Sequence, residues 1–207
     1  LLIVAVYLAA LRWYDLRFLG VFIVGLVVFF LGGSTISFYV EVTPLMDPLK
    51  SIWLIIHVFV ASLGTAFFAL ACALSVLQLM QSRRERRIAE ALEKPGPRFL
   101  GTLPNAERLE GTAFRFAIVG FIFWTFTLIA GAIWAQEAWG AYWNWDPKEV
   151  WSLVIFIVYA AYLHSRVTVG WSGRKAAVVV IIGFACILIN YGVVNVYFVG
   201  QHSYSGL

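Results

Sequence analysis

From Ser51 to Ser82 the chain carries no Asp, Glu, Lys or Arg. Coiled as a helix, residues 50–80 would extend ~45 Å, longer than the ~30 Å hydrocarbon core of a bilayer. Comparable apolar runs cover residues 1–12 (truncated at the start), 18–34, 114–136, 150–169 and 176–198. None alternates with the period of two that a membrane barrel requires. The expectation is an all-α integral membrane protein: one membrane domain over residues 1–207, a bundle of about six transmembrane helices, and an external Trp-rich segment at 134–151. Composition agrees, since 62% of residues are hydrophobic and 13% charged, far from the balance of a soluble domain. The chain opens inside an apolar run with neither an initiator Met nor a charged leader, so its numbering is expected to begin within a longer polypeptide.

The net charge of +4 suggests nucleic acid until the basic residues are placed. Arg12 and Arg17 fall in one connection. Arg83, Arg84, Arg86, Arg87, Lys94, Arg98, Arg108 and Arg115 fall in a second, and Arg166, Arg174 and Lys175 in a third. These connections alternate with two others that hold only Lys50 and Lys148. The positive-inside rule makes the basic side cytoplasmic and puts residues 134–151 and the C-terminus outside. Topology therefore accounts for the charge without nucleic acid, and membrane lipid is the surrounding partner. "RRERRIAEALEKPG" reads as a cytoplasmic helix extension stopped by Pro95, Gly96 and Pro97. Cys72 and Cys186 lie in separate apolar runs with no C-x-x-C spacing, and read as small buried apolar residues.

"WAQEAWGAYWNWDPKEVW", residues 134–151, holds five of the nine tryptophans. An interfacial aromatic belt scatters its rings over all helix ends and both faces; this cluster occupies one. Asp146 is placed to cap the helix that starts at Pro147, or to bond an indole. Glu137 and Lys148 are lesser candidates for meeting a substrate or an acidic group of a ligand.

The three histidines sort by depth. His57 lies just inside the outer end of the third span, and His202 follows the sixth span on the same side. His164 sits near the inner end of the fifth span, where an ionisable group is costly and functional by default. Two facing imidazoles supply both axial ligands of a haem iron, and indoles supply apolar walls for a porphyrin. Zinc would need further ligands, for which Glu137, Asp146 and Glu149 are of suitable type, but it leaves the indoles unexplained.

"WGAYWNWDPKEVW", continued as far as "YLHSR", resembles the Trp-rich "WWD" signature of haem-handling proteins of cytochrome c maturation, in the CcsA (ResC) type of the system II pathway. "SIWLIIHV" around His57 and "GQHSYSG" around His202 extend the resemblance over residues 51–206. It implies that His57 and His202 ligate haem b at an external site, that Trp139, Gly140, Trp143, Trp145 and Asp146 cradle it, and that His164 binds haem iron within the membrane. It further implies a CcsB (ResB) membrane partner, an apocytochrome c substrate with a C-x-x-C-H segment, and cytochrome c synthetase (haem lyase) activity. The setting would be a bacterial plasma membrane or thylakoid, with the Trp-rich segment on the periplasmic or lumenal side. His164 has no second histidine at its depth, so a six-coordinate haem there needs a ligand from another polypeptide.

The rival reading is a b-type electron-transfer subunit, which holds haem without passing it on. Asn190 and Asn195 read as hydrogen-bonding between helices, not as a transport path.

Overall fold

The computed structural model describes residues 1–37, 47–90 and 97–202. Six helices follow one another: α1 (Leu2–Ala10), α2 (Gly20–Ser37), α3 (Ile52–Ala89), α4 (Ala106–Trp139), α5 (Pro147–Thr168) and α6 (Gly173–Ile189). The last runs on through a π-helical turn, Asn190–Val194, to Tyr197. Among the described residues there is no strand.

Four of these are long and apolar enough to cross a membrane: α3, α4, α5, and α6 with its continuation to Tyr197. Of the six expected crossings, four are of spanning length and hydropathy among the described residues, and α1 and α2 are the other two helices. α1 has 9 residues and gives way to a turn over Arg12–Tyr14, and the residues around the start of α2 form a shorter apolar stretch, Arg17–Val28. α3 and α4 also outrun the hydropathy boundaries, because their arginine-bearing ends continue as polar helix. Ser51 caps α3 by accepting from the Trp53 N–H, and Asn105 caps α4 by accepting from the Arg108 N–H. Glu85, on the Arg-rich extension of α3, accepts the Ala106 N–H, so two polar helix ends satisfy one another. α3 ends at Ala89; Pro95 and Gly96 lie outside the described residues.

α3 and α4 form the central antiparallel pair, and α5 and α6 pack beside them. Phe68 of α3 stacks on Tyr159 of α5 at 3.6 Å between ring centroids, both fully buried. A Cβ on Gly120 of α4 would stand 2.8 Å from the Phe68 ring, so this close approach needs glycine.

The arginine-rich end, the inner one by the positive-inside rule, is tied by Glu110 of α4. It pairs with Arg166 of α5, and accepts from Gln78 Nε2 of α3 at 3.0 Å and from the Gly173 N–H opening α6 at 2.9 Å. Arg166 also donates to the Trp171 carbonyl at 2.7 Å and lies over the Phe114 ring. The opposite end of the bundle carries His57, His202 and the Trp-rich segment.

Candidate functional site

The Trp-rich segment is mostly helix. Residues up to Trp139 belong to α4, and Gly140, at φ +75, closes that helix in the left-handed conformation. Residues from Pro147 belong to α5, so the loop itself is 140–146. Asp146 caps α5 as expected, accepting the Lys148 N–H at 2.9 Å. Glu149 completes a capping box by accepting the Asp146 N–H, with Pro147 in the first turn.

The same aspartate does more than cap. It is 6% exposed, and its Oδ2 accepts the Gln201 N–H at 2.6 Å. Its Oδ1 accepts from His202 Nδ1 at 3.0 Å. Asp146 thus stitches the chain beyond α6 to the start of α5 and fixes the His202 ring. Its bond is to imidazole, not to an indole. Burial lowers the proton affinity of His202 below its ordinary value of 6.5, against the opposing pull of Asp146. The lowered proton affinity favours the neutral ring, the state a metal requires.

His57 is held in a matching way from the other side. Its Nδ1 donates to the Thr127 carbonyl of α4 at 3.0 Å. The ring lies flat against Gly131, where a Cβ would stand 2.8 Å from Cε1 and Nδ1. Thr127 has its own side chain on the Phe123 carbonyl, so its carbonyl is presented by regular helix.

Both histidines line one cavity of about 80 Å³, together with Trp124, Tyr142, Trp143, Lys148, Glu149 and Asn190. Trp134, 1% exposed, is in ring contact with both: stacked on His57 at 6.0 Å, and edge-on to His202 at 5.6 Å. Trp139 meets His202 at 4.9 Å. In each imidazole Nδ1 is occupied by a fixed acceptor, while Nε2 has no hydrogen-bond partner among the described residues. This is how protein ligands to a metal are oriented, one ring nitrogen held and the other left for the ion. The donor chemistry suits a haem iron. The volume does not enclose a porphyrin, since about 80 Å³ is room for two or three waters. Among the described residues no group of three or more His, Cys, Asp and Glu side chains is arranged to hold a metal ion.

The expected residues therefore divide. His57, His202, Trp139, Trp143 and Asp146 come together at one end of the bundle. Gly140 acts as a helix stop. Trp145 is 75% exposed, at φ +56, and meets Trp143 of the site edge-on at 5.9 Å. His164 is exposed on the flank of α5 near the inner end, with no partner histidine among the described residues. Glu137 accepts from the Ser51 hydroxyl, joining the outer ends of α3 and α4. Cys72 and Cys186 are partly buried and unpaired.

Sequence reading missed Trp134 as the ring joining the two histidines, Gly131 as the seat of His57, and the polar wall of Lys148 and Asn190. Lys148 Nζ donates to the Asn190 carbonyl at 3.3 Å and to Asn195 Oδ1 at 3.0 Å, spanning the π turn. Asn190 also donates to Ser152 Oγ at 3.4 Å, so the two asparagines do bond between helices. The available signal for Gly131 was its place seven residues after Trp124 and four after Thr127, on one helical face.

The bundle thus carries, at one end, two imidazoles that share a cavity walled by tryptophan. A family model for cytochrome c assembly proteins matches residues 1–202, and the chain belongs to that family. It is similar to the cytochrome c biogenesis protein CcsA of Synechococcus sp. (strain CC9902), with 38% identity over 176 residues, covering 78% of this chain and 58% of that protein. The CcsA protein of Prochlorococcus marinus (strain MIT 9303) is also 38% identical, over 79% of this chain and 58% of its own length. The chain thus spans rather more than half the length of these relatives.

Proposed function

We propose that this chain carries the outer haem site of a cytochrome c synthetase, holding haem b between His57 and His202 and presenting it to an apocytochrome c. The observation that carries the proposal is the paired arrangement of the two imidazoles: each has Nδ1 held by an acceptor, each lines the same cavity, and one buried indole touches both.

Here haem is the cargo. Attachment adds a thiol S–H of the C-x-x-C-H segment across each vinyl C=C, forming a C–S bond while the hydrogen goes to the other vinyl carbon, with no net redox change. This chain's part is positioning: His57 and His202 hold the iron, and Trp139 and Trp143 wall the site. Cys72 and Cys186 lie in the spanning helices and supply no nucleophile at this end of the bundle. Because the cavity is small, admitting a macrocycle requires the 140–146 wall to yield.

Sidedness follows from the arginines, with the Trp-rich end outside. His164, exposed on α5, would bind haem iron at an inner site completed by a histidine of a CcsB-type partner.

The test is transfer. The full-length protein with its partner, loaded with haem, is incubated with a reduced peptide containing C-x-x-C-H. Covalent haem on the peptide, resistant to acid–acetone extraction, supports attachment. Haem that stays on the protein and only exchanges electrons supports the b-type alternative instead.

A further inference from the structure

Trp145 combines two features that rarely coincide. It is a large aromatic residue at φ +56, a conformation that L side chains disfavour, and its ring is 75% exposed. The cause lies in the next helix. Oε2 of Glu149 accepts the N–H of Asn144 at 2.8 Å and that of Asp146 at 3.2 Å, the two amides flanking Trp145. Drawing both amides onto one oxygen bends the intervening residue out of the chain. The capping box alone requires only the Asp146 bond; the Asn144 bond is additional, and it sets the bend. The other oxygen of the same carboxylate, Oε1, is buried with no hydrogen-bond partner among the described residues. Glu149 lines the cavity shared by His57 and His202. An unpartnered buried carboxylate oxygen is costly unless something supplies a donor to it.

We infer that Glu149 is a positioning residue of the outer site: one oxygen clasps the loop so that Trp145 is presented outward, and the other is left for a donor that arrives with the occupant of the cavity. Trp145 is then an outer wall set in place by Glu149, which links the loop to the cavity. The inference rests on the reading of this cavity as the haem site, and concerns which residues shape it.

The test uses the full-length protein with its partner, in four forms: wild type, Glu149→Ala, Glu149→Gln and Trp145→Ala, plus the Glu149→Ala/Trp145→Ala double variant. Amide exchange at Asn144 and Asp146 is read in the haem-free protein, and haem dissociation from the loaded one. Glu149→Ala is expected to speed exchange at both amides about tenfold, the scale of one lost hydrogen bond. It should also speed haem release at least as much as Trp145→Ala does, because it removes the Oε1 acceptor as well, and the double variant should be no faster than Glu149→Ala alone. Glu149→Gln, which keeps an acceptor oxygen, should restore most of the amide protection. The inference is overturned if the two single effects multiply in the double variant, or if Glu149→Ala frees the amides without changing haem release. Failure of the underlying site is read separately, as haem content indifferent to His57→Ala and His202→Ala.

Discussion

The two ends of the bundle both hold buried polar groups, but they use them differently. At the inner end Glu110 gathers Arg166, Gln78 and the start of α6 into a closed cluster, and ties four helices together. At the outer end Asp146, Glu149 and Lys148 also bridge helices, yet the cluster stays open. Among the described residues the two imidazoles keep one nitrogen each unengaged, and Glu149 Oε1 and Asn190 Oδ1 have no hydrogen-bond partner; at the inner end Gln81 Oε1 is also unpartnered, but it lies outside the Glu110 cluster. A closed polar cluster stabilises. An open one carries buried groups that only a ligand or water can satisfy. The contrast extends to the histidines: His57 and His202 share a cavity within one chain, whereas His164 stands exposed and alone.

The sharpest way to break this comparison is at the closed end. Arg166→Leu leaves the Glu110 carboxylate largely buried without its counter-ion, and should cost about 2–3 kcal/mol of stability. Thermal unfolding in detergent should show this loss while the haem spectrum of the outer site is unchanged. A changed spectrum would mean the two ends are not independent.

Next in size is Asp146→Ala, which removes the cap of α5, the tether at Gln201 and the holder of His202. It should cost about 2 kcal/mol and lower haem occupancy as well. Asp146→Asn keeps the capping oxygen and should fall between the two. Gly131→Ala is smaller in stability, about 1 kcal/mol, but pushes on the His57 ring directly. Its expected mark is a severalfold drop in haem affinity, read by titration, out of proportion to the shift in unfolding temperature.

The smallest effect concerns pH. Burial lowers the proton affinity of His202, so between its folded-state value and 6.5 the unfolded chain binds more protons at this residue than the folded one. The stability it contributes is therefore fully present above 6.5 and falls as pH drops below that value. Unfolding temperature measured across that range should decline with acid, and the decline should be shallower in His202→Phe.

Much of the architecture was legible because lipid leaves few choices. Uncharged runs of spanning length mark helices, and arginine placement orders their ends. What hydropathy could not show was where helices outrun the apolar stretch. The extensions of α3 and α4 are polar, and Asn105 and Glu85 hold them together at the start of α4. The capping role of Asp146 could be read from Asp-Pro-x-Glu, because capping is local. The pairing of His57 with Gly131 and Thr127, some 70 residues away, is tertiary, and nothing near His57 in the chain announces it. The same holds for Trp134. Its composition placed it in the Trp-rich segment, yet only packing makes it the ring that touches both histidines.

The central claim is that one chain builds a bis-imidazole site from His57 and His202. It is tested most directly by reduced-minus-oxidised spectra of the protein purified with haem, in wild type, His57→Ala and His202→Ala, each with and without added imidazole. Wild type should show a six-coordinate low-spin spectrum, either variant should lose it, and imidazole that fills the vacated position should restore it. Haem content and spectrum that ignore both substitutions would contradict it.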